Sequence, residues 1–202
     1  MSIQYILEIV GTFAFAISGA LAVKDTEHPD WFAATFTAFI SSIGGGTLRD
    51  VLLGSYPLVW ISDITILYAI LAGVLATFVF YRQLMHLRRT LFLFDTFGIA
   101  LFTIVGTEKA LSLGVRPEIA AIMGMFSAVM GGVIRDTLTN EIPIIYRKEV
   151  YATPCLAGAV AYLVLDYLGA ERNTAFIAAS ALIIVIRILA VKYQWRIPDF
   201  FR

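Results

Sequence analysis

Long apolar runs broken by short polar connections organise this sequence. Seven runs stand out, at residues 4–23, 31–52, 62–81, 91–110, 117–139, 150–168 and 173–192. A bilayer core takes about 20 mostly apolar residues per helix, and each run approaches that length. Breakers lie between them: "KDTEHPD" (24–30), "GSYPLVWISD" (54–63), "RQLMHLRRT" (82–90), "SLGVRP" (112–117), "TNEIPIIYRKE" (139–149) and "GAERN" (169–173). The runs are continuous rather than alternating, which favours helices over barrel strands. The pattern predicts an all-α membrane protein with seven transmembrane helices.

Composition agrees. The 202 residues are 59% apolar and only 15% charged, against roughly 25% charged in soluble domains. Mean hydropathy is +0.83. The formal net charge of zero gives no reason to expect a nucleic-acid partner. The single Cys155 permits neither an internal disulfide nor a cysteine metal cluster. His28 and His86 fall in polar connections and read as ordinary solvated histidines. The sequence has no His-Glu-x-x-His, no phosphate-binding lysine loop and no nucleophilic cysteine context, so no enzyme, cofactor or metal is expected. Glu8 interrupts the apolar start and no basic stretch precedes it, so the first span is expected to direct insertion.

Seven crossings would put the termini on opposite sides. Lys24, Arg82, Arg88, Arg89, Arg147, Lys148, Lys192, Arg196 and Arg202 would then share one side, against Lys109, Arg116 and Arg172 on the other. The positive-inside rule predicts an outside N-terminus and a cytoplasmic C-terminus.

The chain also repeats itself. Glu8, Gly11 and Gly19 correspond to Asp95, Gly98 and Gly106 at a shift of 87. Ser41, Gly45, Gly46, Arg49, Asp50 and Pro57 correspond to Ser127, Gly131, Gly132, Arg135, Asp136 and Pro143 at a shift of 86. Each copy carries three spans, and an odd number forces the second copy to enter the membrane upside down. The expected plan is two inverted three-helix repeats, residues 1–86 and 87–170, with a seventh helix and tail at 171–202. Transporters and some channels use such repeats, with sites near the midplane at broken helices.

The repeated motifs are "SSIGGGTLRDVLLG" (41–54) and "SAVMGGVIRDTLTN" (127–140). Gly44, Gly45 and Gly46 are expected to kink or unwind the second span, and Gly131 and Gly132 to bend the fifth, because glycine costs about 1 kcal/mol relative to alanine inside a helix. Ser41, Ser42 and Ser127 would line a path around these bends. Close helix packing is the other reading of the same glycines. Arg49 and Asp50 are adjacent, so on a helix they point apart and each needs a partner elsewhere. The topology predicts Glu8 with Arg49 and Asp95 with Arg135, near opposite mouths. With Asp50 and Asp136, these charges either line or gate the route or simply hold helices together. Lys148, Glu149 and Arg187 read as snorkelling charges at an interface.

"GGGTLRD", "GGVIRD", "RKEV" (147–150) and the three-plus-three-plus-one plan resemble the prokaryotic members of the trimeric intracellular cation (TRIC) channel family over essentially the whole chain. The resemblance implies a homotrimer in a bacterial inner membrane, with a pore in each subunit for monovalent cations, chiefly potassium. It makes the five glycines pore-kinking positions and Lys148 a lipid or gating contact. The same bacterial repeat is also described as a glycine-transporter domain, which implies a secondary transporter of a small amino acid such as glycine.

Overall fold

A computed structural model describes residues 3–26, 29–86, 90–147 and 150–195. His28, Arg88, Arg89, Lys148, Glu149, Arg196 and Arg202 lie outside the described residues, so the expectation of a lipid or gating contact at Lys148 lies outside them too.

The described residues form nine α-helices: α1 (Ile3–Ala22), α2 (Trp31–Leu52), α3 (Val59–Ser62), α4 (Ile64–Val79), α5 (Tyr81–His86), α6 (Thr90–Ser112), α7 (Pro117–Leu138), α8 (Ala152–Tyr167) and α9 (Arg172–Lys192). Each of the seven apolar runs overlaps a helix of 16 to 23 residues. By length and composition, α1, α6, α7 and α9 can each cross a membrane, while α4 and α8 are shorter apolar helices. Large apolar side chains stand exposed on outward faces, among them Phe32, Leu75, Val164 and Ile177. A surface of that kind needs lipid or protein against it. This is an all-helical membrane protein.

Local chemistry sets the helix ends. The Asp30 carboxylate accepts the Ala33 amide at 2.7 Å and caps α2, and Pro117 opens α7 where no amide donor is needed. The C-termini of α2 and α7 close in the same way. Ser55 N donates to Asp50 O at 2.8 Å and Glu141 N to Asp136 O at 2.8 Å. The left-handed turn residue is Gly54 (φ 63°) in one and Asn140 (φ 57°) in the other. Glycine and asparagine both enter that region readily, and the pattern is a Schellman closure.

Helix α1 packs against α2, α4 and α6; α6 packs against α7, α8 and α9; α2 crosses α7. Equivalent residues meet reciprocally. A Cβ on Gly45 would lie 1.9 Å from the Ser127 carbonyl oxygen, and one on Gly131 would lie 2.7 Å from the Ser41 carbonyl oxygen. On α1 and α6, a Cβ on Gly11 would meet the Phe102 ring at 2.9 Å, and one on Gly98 the Phe15 ring at 2.7 Å. The Phe15 and Phe102 rings themselves meet edge to face, with centroids 5.3 Å apart. As residue numbers rise on one helix of each pair they fall on the other, so both pairs are antiparallel.

The glycines do not unwind their helices. Residues Trp31–Leu52 form one unbroken α-helix through Gly44, Gly45 and Gly46, and Pro117–Leu138 one through Gly131 and Gly132. Their missing side chains admit a neighbouring backbone, while the helix keeps its own hydrogen bonds.

This packing predicts opposite outcomes for adjacent glycines. Gly45→Ala should cost about 1–3 kcal/mol by overpacking against a backbone carbonyl. A Cβ on Gly46 meets nothing closer than 3.8 Å, so Gly46→Ala should be neutral or stabilising by up to about 1 kcal/mol. Thermal unfolding of the detergent-solubilised variants measures the difference, and equal losses would contradict the packing account.

Candidate functional site

Two buried charge clusters sit at opposite ends of the helix bundle. Helix α6 contributes Asp95 to one and Lys109 to the other, about 21 Å apart at 1.5 Å rise per residue.

The first cluster joins Glu8 of α1, Arg49 and Asp50 of α2, and Lys109 of α6. Asp50 Oδ1 receives both Arg49 Nε and Lys109 Nζ at 2.8 Å. Arg49 Nη2 lies 3.7 Å from Glu8 Oε1. Arg49 Nη1 and Nη2 have no hydrogen-bond partner among the described residues. Two cations and two carboxylates make the cluster neutral. Asp50 takes both cations, which leaves Glu8 as the loosely held carboxylate. Its side chain is 15% exposed and borders a small cleft of about 20 Å³, room for about one water, that Thr12, Ser42, Thr47, Arg49 and Trp60 also line. Ser42 Oγ donates within this wall to Ala38 O at 2.8 Å, and Trp60 Nε1 to Thr47 Oγ1 at 3.1 Å.

The second cluster joins Asp95 of α6, Arg135 and Asp136 of α7, and Arg187 of α9. Arg135 Nη1 donates to Asp95 Oδ1 at 2.7 Å and to Ser18 Oγ at 2.6 Å. Its Nε donates to Asp136 Oδ1 at 2.9 Å. Asp136 Oδ2 accepts the Ile144 amide at 2.9 Å. Arg187 Nη2 donates to Asp95 Oδ2 at 3.2 Å, and Tyr151 Oη donates to Asp95 Oδ1 at 3.2 Å. This cluster too is neutral, but it is sealed: the side chains of Asp95, Arg135 and Arg187 have no exposure. Gly132 helps to build it, since a Cβ there would lie 2.4 Å from Tyr151 Oη.

The expected partners Glu8 with Arg49 and Asp95 with Arg135 therefore do meet. Two other expectations need correction. Arg49 and Arg135 also reach their own neighbours Asp50 and Asp136. Adjacent Cβ atoms point apart, but the arginine stem is long enough to fold back over its helix. Arg187 does not snorkel. It lies on the buried stripe of α9 with Phe176, Ala179, Ile183 and Ala190, and its guanidinium carbon sits 4.8 Å from the Phe92 ring and 4.6 Å from the Tyr151 ring.

Ser41 and Ser127 are buried at the α2–α7 crossing, and neither hydroxyl has a hydrogen-bond partner among the described residues. Gly44 faces Ile134, whose Cδ1 would lie 2.8 Å from an added Cβ. Spacing and composition carry no signal of Lys109 and Tyr151 as cluster members, or of the clasp around Glu108. Glu108 pairs with Arg172 and accepts from Tyr162 Oη at 3.2 Å, and Arg172 Nη2 also donates to Gln4 Oε1 at 3.1 Å. The clasp ties α1, α6, α8 and α9 together. Asp63, which caps α4, is half-buried, and hydrogen bonds from Tyr5 and Thr65 hold its carboxyl below the usual aspartate value. No group of three His, Cys, Asp or Glu side chains is placed to hold a metal among the described residues.

Comparison with known proteins places this architecture. The family model described as glycine transporter matches residues 5–82 and 92–167. The UPF0126 inner membrane protein YadS of Escherichia coli (strain K12) is 35% identical over 198 residues, 97% of this chain and 95% of that protein. A UPF0126 membrane protein of Deinococcus radiodurans is 38% identical over 197 residues, covering 95% of this chain and 89% of that one. The solved TRIC trimeric intracellular cation channel orthologue from Rhodobacter sphaeroides superposes with a TM-score of 0.90 at 33% identity, covering 96% of this chain and 100% of that chain. With its paired glycine and Arg-Asp motifs and its two charge clusters, this chain belongs to the UPF0126 membrane protein family, the family that includes the prokaryotic TRIC channels.

Proposed function

We propose that the protein is a channel for monovalent cations, permeable to potassium, with one path in each subunit of a homotrimer. All seven long helices cross the membrane, as two inverted three-helix repeats and a seventh helix. The N-terminus is outside and the C-terminus in the cytoplasm of a bacterial inner membrane. The Glu8 cluster then faces outward and the Asp95 cluster inward. The antiparallel meetings of α1 with α6 and of α2 with α7 support the inverted plan, and the likeness to solved TRIC cation channels supports conduction.

The observation that carries the reading is the cleft at Glu8. It joins a partly exposed carboxylate to the hydroxyls of Thr12, Ser42 and Thr47. A lone arginine would repel an entering cation by about 4 kcal/mol at 4 Å and an effective dielectric of 20. Here Asp50 neutralises Arg49 directly, and Glu8 is left to face the ion. Beyond the cleft, Gly44, Gly45 and Gly131 let α2 and α7 come together, and Ser41 and Ser127 supply hydroxyls at the crossing. Asp95, Arg135 and Asp136 form the inner end of the route, as lining or gate.

A planar-bilayer recording under a potassium chloride gradient tests this. Unitary currents reversing towards the potassium equilibrium potential are expected. Saturable uptake of labelled glycine into liposomes without unitary currents would instead make the protein a carrier, and reversal towards the chloride potential would contradict cation selectivity. In the same assay, Glu8→Gln should lower the cation-to-anion permeability ratio about thirtyfold, since a unit negative charge 4 Å away in water attracts a cation and repels an anion by about 1 kcal/mol each. An unchanged ratio would remove Glu8 from the path.

A further inference from the structure

The two charge clusters are built from equivalent residues, but their fourth members differ. In the Glu8 cluster the extra cation is Lys109, from a helix of the repeats, and it binds Asp50 rather than Glu8. In the Asp95 cluster the extra cation is Arg187, from the helix outside the repeats, and it binds the acid equivalent to Glu8. Without Arg187, the cluster would hold Asp95 and Asp136 against Arg135 alone. A buried net charge of that kind is strongly destabilising unless another cation takes the place.

The place is well defined. Asp95 Oδ1 is already occupied by Arg135 Nη1 and Tyr151 Oη. The other oxygen, Oδ2, receives only Arg187 Nη2 among the described residues, at 3.2 Å. The Val150 carbonyl accepts from Arg187 Nη1 at 3.3 Å. The Phe92 and Tyr151 rings lie 4.8 and 4.6 Å from the guanidinium carbon, within the range where a ring face attracts a cation. A carboxylate oxygen, a carbonyl oxygen and two ring faces make a cation slot. Arg187 fills it through long hydrogen bonds, and its Nε has no hydrogen-bond partner among the described residues.

We propose that Asp95 Oδ2, Val150 O and the Phe92 and Tyr151 rings form a binding slot for a small organic monovalent cation of the guanidinium class, which α9 keeps occupied with the Arg187 guanidinium. The seventh helix thereby acts as a tethered blocker of the inner end of the route. The blocking role rests on the channel reading above; the slot does not.

Removing the tethered group should let a free one take its place. Guanidinium chloride at low millimolar concentration should raise the thermal midpoint of detergent-solubilised Arg187→Ala, relative to sodium chloride at equal ionic strength. It should not raise that of the wild type or of the Asp95→Asn/Arg187→Ala double variant. In bilayers, Arg187→Ala should pass severalfold more potassium current than the wild type, and millimolar guanidinium should block the excess reversibly. Arg187→Lys, which keeps the charge, should remain close to the wild type. If Arg187→Ala yields folded protein only when guanidinium is present during extraction, that also supports the slot. Equal responses to sodium and guanidinium would overturn it, as would failure of both Arg187→Ala and Arg187→Gln to fold even with guanidinium. A thermal response with no current from any variant, wild type included, would keep the slot and defeat the channel reading.

Discussion

Arg49, Arg135 and Arg187 are wholly buried in a helical membrane protein. Insertion scales put a central membrane charge at about 2.5–3.5 kcal/mol, and a buried charge that loses its partner costs about 3–5 kcal/mol. Each guanidinium must therefore find a carboxylate on another helix, and this requirement fixes which helices touch. Glu8 and Asp50 bring α1 and α2 together with Lys109 of α6. Asp95 and Asp136 bring α6 and α7 together and draw in α9. The polar groups thus set the register of a bundle whose apolar surfaces would otherwise slide against lipid as readily as against each other.

Neutral clusters alone do not bring α2 and α7 close. That depends on places where a side chain is missing. Gly45 lies against the Ser127 carbonyl and Gly131 against the Ser41 carbonyl, so two backbones approach to a distance no alanine would allow. The same exchange recurs where Gly11 and Gly98 receive Phe102 and Phe15. Matched motifs in this way make nearly self-complementary contacts. The charges hold the two ends of the bundle and the glycines its centre. The departures from symmetry then carry information. Helix α4 packs through Gly73 onto α1, whereas α8 packs through Gly158 onto α9. One cluster opens to a cleft, and the other is closed by α9.

Much of this was legible in the sequence. Apolar runs located the long helices, because a bilayer demands length whatever the packing. The matched spacing of Glu8, Gly11, Arg49 and Asp50 with Asp95, Gly98, Arg135 and Asp136 pointed to the helices that meet and to two of the ion pairs. Other features escaped for physical reasons. Propensity makes Gly44–Gly46 a weak point, but tertiary packing on both sides keeps α2 helical. Residue spacing gives the direction of Cβ, not the reach of an arginine, so the contacts of Arg49 with Asp50 and Arg135 with Asp136 were missed. Arg187 was misplaced because α9 is apolar all round. Only the buried stripe from Phe176 to Ala190 reveals its inward face, and hydropathy cannot separate a face turned to protein from one turned to lipid. Lys109 sits near a helix end, where a snorkelling lysine and an ion-paired one look alike.

In the proposed channel, the route is wet at the Glu8 end and plugged by paired charges at the Asp95 end. The most direct measurement is the labelling rate of Ser42→Cys, in a Cys155→Ala background, by a small water-soluble cationic thiol reagent added from outside. If the cleft is a water-filled entrance, Ser42→Cys will react much faster than Leu75→Cys, whose side chain faces outward from α4. If Ser42→Cys reacts no faster than Leu75→Cys, the cleft is dry and the proposed route does not begin there.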